Sequence, residues 1–237
     1  MTQLSKIEDK IYEKLKREKM FVFKIADISK IFGFSRIKAY NSIKALKKKN
    51  IIKKAGNGFY AFSGADDFAV ASSIVFPSYI SFWTALNYHG FSGNAPKQIF
   101  LATTRFSKQL NSFKYIKISK QKFFGYISIS DFAIADKEKT IVDCLAFPKY
   151  CGGIKEVING LKDNINSINL NKIIQYSLKL NNKAVLRRLG YIFENFGLKS
   201  REIDLLNKHK GLGYELLDPA LKKKNNLNKR WLLDINI

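Results

Sequence analysis

The sequence predicts an α+β protein. Apolar residues recur three and four apart through residues 7–46 and again over about 136–197, the period of helices that bury one face. Between these stretches lie "QIFLAT", "FKYIKIS" and "YISIS", short runs rich in β-branched and aromatic residues, as strands are. "SGADD", Ser63 to Asp67, is a small acidic interruption. It divides a region over residues 1–62 from a mixed domain over 66–237, with a small β-sheet over about 97–135 and helices over about 136–197.

Within residues 1–62 the order is helix, helix, turn, helix, hairpin. Ile7, Ile11 and Leu15 give the first helix an apolar face, and "IADISKIF" supplies a second, broken by Gly33. Ser35 is placed to cap the third helix, "SRIKAYNSIKALKKKN", which turns Ala39, Ile43 and Leu46 inward. Its other face shows Arg36, Lys38, Tyr40, Asn41 and Lys44. In "IIKKAGNGFYAF", Asn57-Gly58 joins two short strands as a hairpin. This order resembles a winged helix-turn-helix, where the helix after the turn enters the major groove and the wing touches the backbone or minor groove. Arg36 and Asn41 suit base edges; Lys38, Lys44, Lys53 and Lys54 suit phosphates. With Ser35, Tyr40 and Asn57 they make up the candidate DNA-binding set. Winged helices also serve as protein-interaction modules, and a lysine-rich helix face is also what simple solvation produces.

The charge balance points the same way. The 237 residues carry a formal net charge of +23, which suits a polyanionic partner, although a lysine-rich proteome would also produce it. Residues 1–62 hold 16 Lys and Arg against 5 acids, residues 63–150 hold 10 against 6, and residues 151–237 hold 16 against 8. The excess is therefore densest beside the candidate DNA-binding helix. Cys144, Cys151, His89 and His209 form no metal-binding spacing, so neither a metal nor a cofactor is expected. Reduced thiols and a charged N-terminus fit a cytoplasmic protein without a signal peptide, and no apolar run is long enough to cross a membrane.

In the second region, "DDFAVASSIVFPSYISFWTALNYHGF" reads as two helical segments parted by Pro77. Its Tyr79, Phe82, Trp83 and Tyr88 read as core aromatics rather than base-stacking platforms, and His89 as a helix end before Gly90. In "FKYIKIS", Tyr115 and Lys117 oppose Ile116 and Ile118, which implies a sheet with one buried face. Arg105, Lys108, Lys114, Lys117, Lys120 and Lys122 would then extend a DNA track or protect sheet edges. From Gly153 on, three helical segments precede a less regular tail, whose "GLG" reads as a turn.

"FAIADKEKTIVDCL", Phe132 to Leu145, raises an enzymatic alternative: a Mg²⁺-dependent nuclease targeted by the winged helix. Such a site needs converging carboxylates and a lysine near the attacking water, but Glu138-Lys139 are adjacent and Glu-x-Lys is absent. The segment reads better as a strand followed by a helix that Asp136 caps and Glu138 favours through the helix dipole. Ile141, Val142 and Leu145 would form its buried stripe, with Lys139 and Asp143 facing water. Glu138 is placed to meet Arg187 or Arg188. No catalytic residue is assigned.

Taken together, the N-terminal module, "PSYISFWTALNYHGF", "IADKEKTIVDCLAFPKYCGG" and "LRRLGYIFENFG" resemble the AbiEi family, in order and in distance from the N-terminus. These are antitoxins of abortive-infection, or viral defence, systems. The likeness runs to about residue 200. It implies a DNA-binding autorepressor that recognises inverted repeats in its promoter through the winged helix. It further implies a type IV antitoxin that counteracts a nucleotidyltransferase-like toxin without a stable complex. Only the recognition-helix face and the wing lysines transfer as site residues. A stand-alone winged-helix regulator without a toxin is the remaining alternative.

Overall fold

The computed structural model describes residues 3–198 and 201–237, which form ten α-helices and three sheets. The first region runs α1 (Lys6–Arg17), β1 (Val22–Lys24), α2 (Ile25–Phe32), α3 (Arg36–Lys48), β2 (Ile52–Gly56) and β3 (Phe59–Phe62). Ile11, Leu15, Phe23, Ile28, Ala39, Ile43, Leu46 and Ile52 form its core. Ile7 departs from expectation: it is 42% exposed, while Glu8 is buried beside Ile11. Glu8 accepts from the Ser5 amide at 2.7 Å as part of a capping box and from Lys49 Nζ at 2.6 Å, so it ties the start of α1 to the end of α3.

Strand β1 was not legible as such. It pairs with β3, giving a three-stranded sheet in the order β1-β3-β2. In the Asn57-Gly58 turn only Gly58 takes positive φ, at 79°, and Ala55 is the extra residue of a bulge in β2. Alternation along the strands sends Phe23, Ile52, Tyr60 and Phe62 to the first core. Val22, Ala55, Phe59 and Ala61 go to a second. The hairpin sheet is thus the seam between the two.

The second core is built on α4 (Asp67–Ile74), β4 (Ser78–Ile80), α5 (Phe82–Tyr88), β5 (Ile99–Thr103), β6 (Lys108–Leu110), β7 (Phe113–Lys117), β8 (Tyr126–Ile129) and β9 (Phe132–Ala135). After Pro77 the chain enters strand β4 rather than a helix, and β4 lies inside a six-stranded mixed sheet ordered β6-β7-β5-β4-β9-β8. Both sheet faces are covered. Ile80, Leu101, Tyr115 and Ile134 are register neighbours in one row, and the Tyr115 hydroxyl donates to the Ala71 carbonyl of α4 at 2.7 Å. Tyr79, Ala102 and Ile116 form the row on the opposite face. The expected one-sided sheet, with Tyr115 outward, is therefore corrected: a central strand packed by helices on both faces is apolar at successive positions. Of the aromatics assigned to the core, Tyr79 and Phe82 are fully buried and Trp83 is half-buried, whereas Tyr88 is exposed.

Helices α6 (Lys137–Ala146), α7 (Ile154–Asn164), α8 (Leu170–Leu180), α9 (Lys183–Asn195) and α10 (Arg201–His209) follow. Asp136 caps α6, its Oδ1 accepting from the Lys139 amide at 2.8 Å. Glu138 lies in the first turn and Ile141, Val142 and Leu145 are buried, as expected, but Lys139 and Asp143 do not face water. Residues 138–145 of α6 are all buried, because α5, α7, α8, α9 and β9 all pack against this one helix. A helix enclosed in this way has no water-facing side. The tail is also more ordered than its sequence suggests. It makes β10 (Glu215–Leu216), β11 (Leu227–Asn228) and β12 (Leu233–Asp234), a sheet ordered β10-β12-β11. Trp231 is wholly buried against Gly190, where a Cβ would fall 2.0 Å from its ring. Among the described residues, no helix is long and apolar enough to cross a membrane.

Candidate nucleic-acid interface

Gly33, in the left-handed region at φ 64°, ends α2, and three residues later α3 begins. Ser35 Oγ accepts from the Lys38 amide at 3.3 Å and fixes the first turn of α3. Lys38 Nζ lies 4.2 Å above the Phe34 ring, a cation–π contact that holds the lysine beside the helix start. With Ala39, Ile43 and Leu46 turned to the core, Ile37, Asn41, Lys44 and Lys48 point directly away from it. Arg36, Tyr40 and Lys47 take one flank of that face and Lys38 the other. Ser35, Arg36, Lys38, Tyr40, Asn41 and Lys44 are all exposed, so all the residues expected on α3 share its accessible surface.

The β2–β3 hairpin separates its two lysines. Lys54 registers with Tyr60, lies on the side of the sheet that faces the three helices, and is exposed. Lys53 points to the other side, where its Nζ pairs with Asp67 Oδ1 at 2.7 Å. Asn57 and Gly58 form the exposed tip. Between the tip and α3 runs a groove of about 700 Å³ lined by Lys24, Ile25, Lys30, Arg36 and Gly58. Lys24 Nζ sits 4.5 Å above the Phe59 ring at its margin. Lys24, Lys30, Lys48 and Ile37 are exposed on the same surface and were not in the candidate set. Lys24 joins this surface only because β1 pairs with β3 of the hairpin, and Ile37 because helical spacing puts it opposite Ala39, Ile43 and Leu46.

The carboxylates weighed as a metal site are committed elsewhere. Asp136 Oδ2 accepts from Tyr176 Oη at 3.1 Å and pairs with Lys172 Nζ at 3.2 Å. Glu138 Oε2 pairs with the same Nζ at 3.0 Å, and its Oε1 accepts from the Asn169 amide at 2.9 Å. Burial alone would raise the Glu138 pKa; the Asn169 amide and Lys172 outweigh it and hold the carboxyl below its ordinary value. Its partner is thus Lys172 and not Arg187 or Arg188. Those two arginines are buried against backbone: Arg188 donates to the Leu145, Leu216 and Leu217 carbonyls, and Arg187 to those of Lys210 and Leu212. Lys139 and Asp143, expected in water, form a fully buried ion pair at 2.5 Å. Asp143 Oδ2 also accepts from Tyr79 at 3.0 Å and Ser81 at 2.8 Å. Burial and the Asp143 charge hold the Tyr79 hydroxyl well above its ordinary pKa. Among the described residues, no group of three His, Cys, Asp or Glu is placed to hold a metal ion.

Comparison with solved structures places the whole architecture. The chain is similar to the crystal structure of the Rv2827c protein from Mycobacterium tuberculosis, with a TM-score of 0.69 at 11% identity, over 98% of this chain and 92% of that one. At that identity the likeness is one of fold. No protein-family model matches the sequence, and no curated protein does.

Proposed function

We propose that this protein is a sequence-specific double-stranded DNA-binding repressor of its own promoter, with residues 1–62 acting as a winged helix-turn-helix. The observation that carries the reading is the outer face of α3. Asn41 and Lys44 stand there in solvent with Arg36 on one flank and Lys38 on the other, and the hairpin lysine Lys54 is exposed too, in a region with 16 basic residues against 5 acidic ones. Arg36 and Asn41 have the forked geometry that reads guanine and adenine edges, and the lysines neutralise phosphates on either side. Lys53 is a poorer phosphate ligand than Lys54, since Asp67 already neutralises it.

The antitoxin role rests on the AbiEi-like segments alone and extends the same proposal: repression of an operon whose toxin, of nucleotidyltransferase type, the second region antagonises. Asp136 and Glu138 act in this reading as structural carboxylates, joining the start of α6 to α8 through Lys172.

Fluorescence anisotropy with duplex DNA from upstream of the gene, against scrambled duplex of equal length, tests the DNA-binding part. The expected result is a preference for upstream DNA of about 10³-fold or more, with affinity falling steeply as salt rises. Equal affinity for both duplexes would refute it. Co-expression with the product of the neighbouring gene tests the antitoxin part: growth arrest by that product, relieved by this protein, is expected.

A further inference from the structure

We propose that Ile37 reads the 5-methyl group of a thymine in the major groove, which makes an A·T pair the preferred one at that position of each half-site. The proposal rests on the DNA-binding reading above and adds a specificity-determining contact to it. Ile37 is 74% exposed, in the first turn of α3, and belongs to neither hydrophobic core. Its direction is set by the helix itself: with Ala39, Ile43 and Leu46 inward, Ile37 lies on the side farthest from the core.

The surroundings narrow what can cover it. Ile37 and Tyr40 line a shallow, largely apolar groove of about 450 Å³ together with Ile25 and Arg36. On the other side of Ile37, Lys38 and Asn41 border a second groove. Cations on both flanks suit an anionic partner, since Glu8, the carboxylate lining the second groove, is already paired with Lys49. Yet the centre of the contact is a branched hydrocarbon. In the major groove of DNA, the thymine methyl is the one apolar group a base edge presents; guanine, adenine and cytosine edges offer only donors and acceptors there. Asn41 follows Ile37 by one helical turn and suits the adenine of an adjacent pair, so the two residues together favour an A·T-containing core.

The test uses the full-length protein and duplexes selected by it from a randomised pool. Each thymine is then replaced singly by deoxyuridine, which keeps the O4 acceptor and removes only the methyl. Wild-type protein is expected to lose about three- to tenfold in affinity at one thymine per half-site, the scale of one buried methyl group. Ile37→Ala is expected to bind the thymine duplex correspondingly more weakly and to be indifferent to deoxyuridine there. Its melting temperature should be unchanged, since an exposed helical site accepts alanine readily. Wild-type protein insensitive to every replacement, or Ile37→Ala still sensitive at the same thymine, overturns the proposal. Failure to select any sequence from the pool overturns the DNA-binding reading itself and the proposal with it, and is seen before any deoxyuridine is introduced.

Discussion

The first sixty-two residues and the body behind them are both basic, but they use their cations in opposite ways. None of the 16 Lys and Arg in residues 1–62 is buried, and the one buried charge there is an acid, Glu8. In the body, Lys139, Arg187 and Arg188 are buried, at 0%, 2% and 4% exposure. A cation in water is available to a partner; a cation inside a core is a tie between chain segments and is available to none. Net charge is therefore a guide to partners only after the buried cations are set aside. In this chain the outward cations are densest in residues 1–62.

This contrast breaks first at Lys139. Lys139→Met strands the Asp143 carboxylate at the centre of the body and should cost about 3–5 kcal/mol in urea unfolding. Lys139→Met combined with Asp143→Asn keeps an acceptor for Tyr79 and Ser81 without the unpaired charge, and should recover a large part of the loss. A Lys139→Met protein as stable as wild type would show that the pair is not the tie described. Arg188→Leu comes next. It leaves the Leu145, Leu216 and Leu217 carbonyls without their donor, a cost of about 2–4 kcal/mol by the measure of buried unsatisfied groups. Protease cleavage near residues 216–218, ahead of the rest of the chain, is the local readout.

A smaller effect is expected from acid. Glu138 and Glu8 are both held below the ordinary carboxyl value of 4.5 in the folded protein. Lys49 and the Ser5 amide do this for Glu8. A depressed folded-state pKa contributes stability above the unfolded value and loses it as pH falls through the folded one. The urea midpoint should therefore fall below about pH 4.5, and Glu138→Gln should flatten that dependence. Lys44→Ala is the smallest in stability, within about 0.5 kcal/mol of wild type. Its effect belongs to binding: the salt dependence on DNA should drop by about one phosphate contact.

How far this was legible in the sequence follows the same division. In the N-terminal region, Gly33, Ser35 and Asn57-Gly58 are local signals whose chemistry acts within a few residues, and the helices and hairpin lie where those signals put them. The α3 face was readable because its inner residues repeat at helical spacing. Strand β1 escaped because three residues carry too little alternation to distinguish a strand from a loop. In the body, "KEKTIVDCL" has the charges of an amphipathic helix, and nothing local to it reveals that α5, α7, α8 and α9 close around it. The partner of Lys139 lies one turn away, a spacing as common on wet surfaces as in cores; burial decides between them, and burial is a property of the whole fold. Likewise the carbonyls that Arg187 and Arg188 reach are 23 to 43 residues distant in the chain.

The most direct test of the central claim, that the outer face of α3 is the DNA-contacting surface, is one binding titration. Arg36, Lys38, Asn41 and Lys44 are replaced together by alanine, and affinity for the upstream duplex is measured beside thermal unfolding. The account predicts that affinity falls at least about 100-fold, as expected from losing two base contacts and two phosphate contacts, while the melting temperature stays close to wild type. A folded variant that binds the duplex as tightly as the wild-type protein would contradict it.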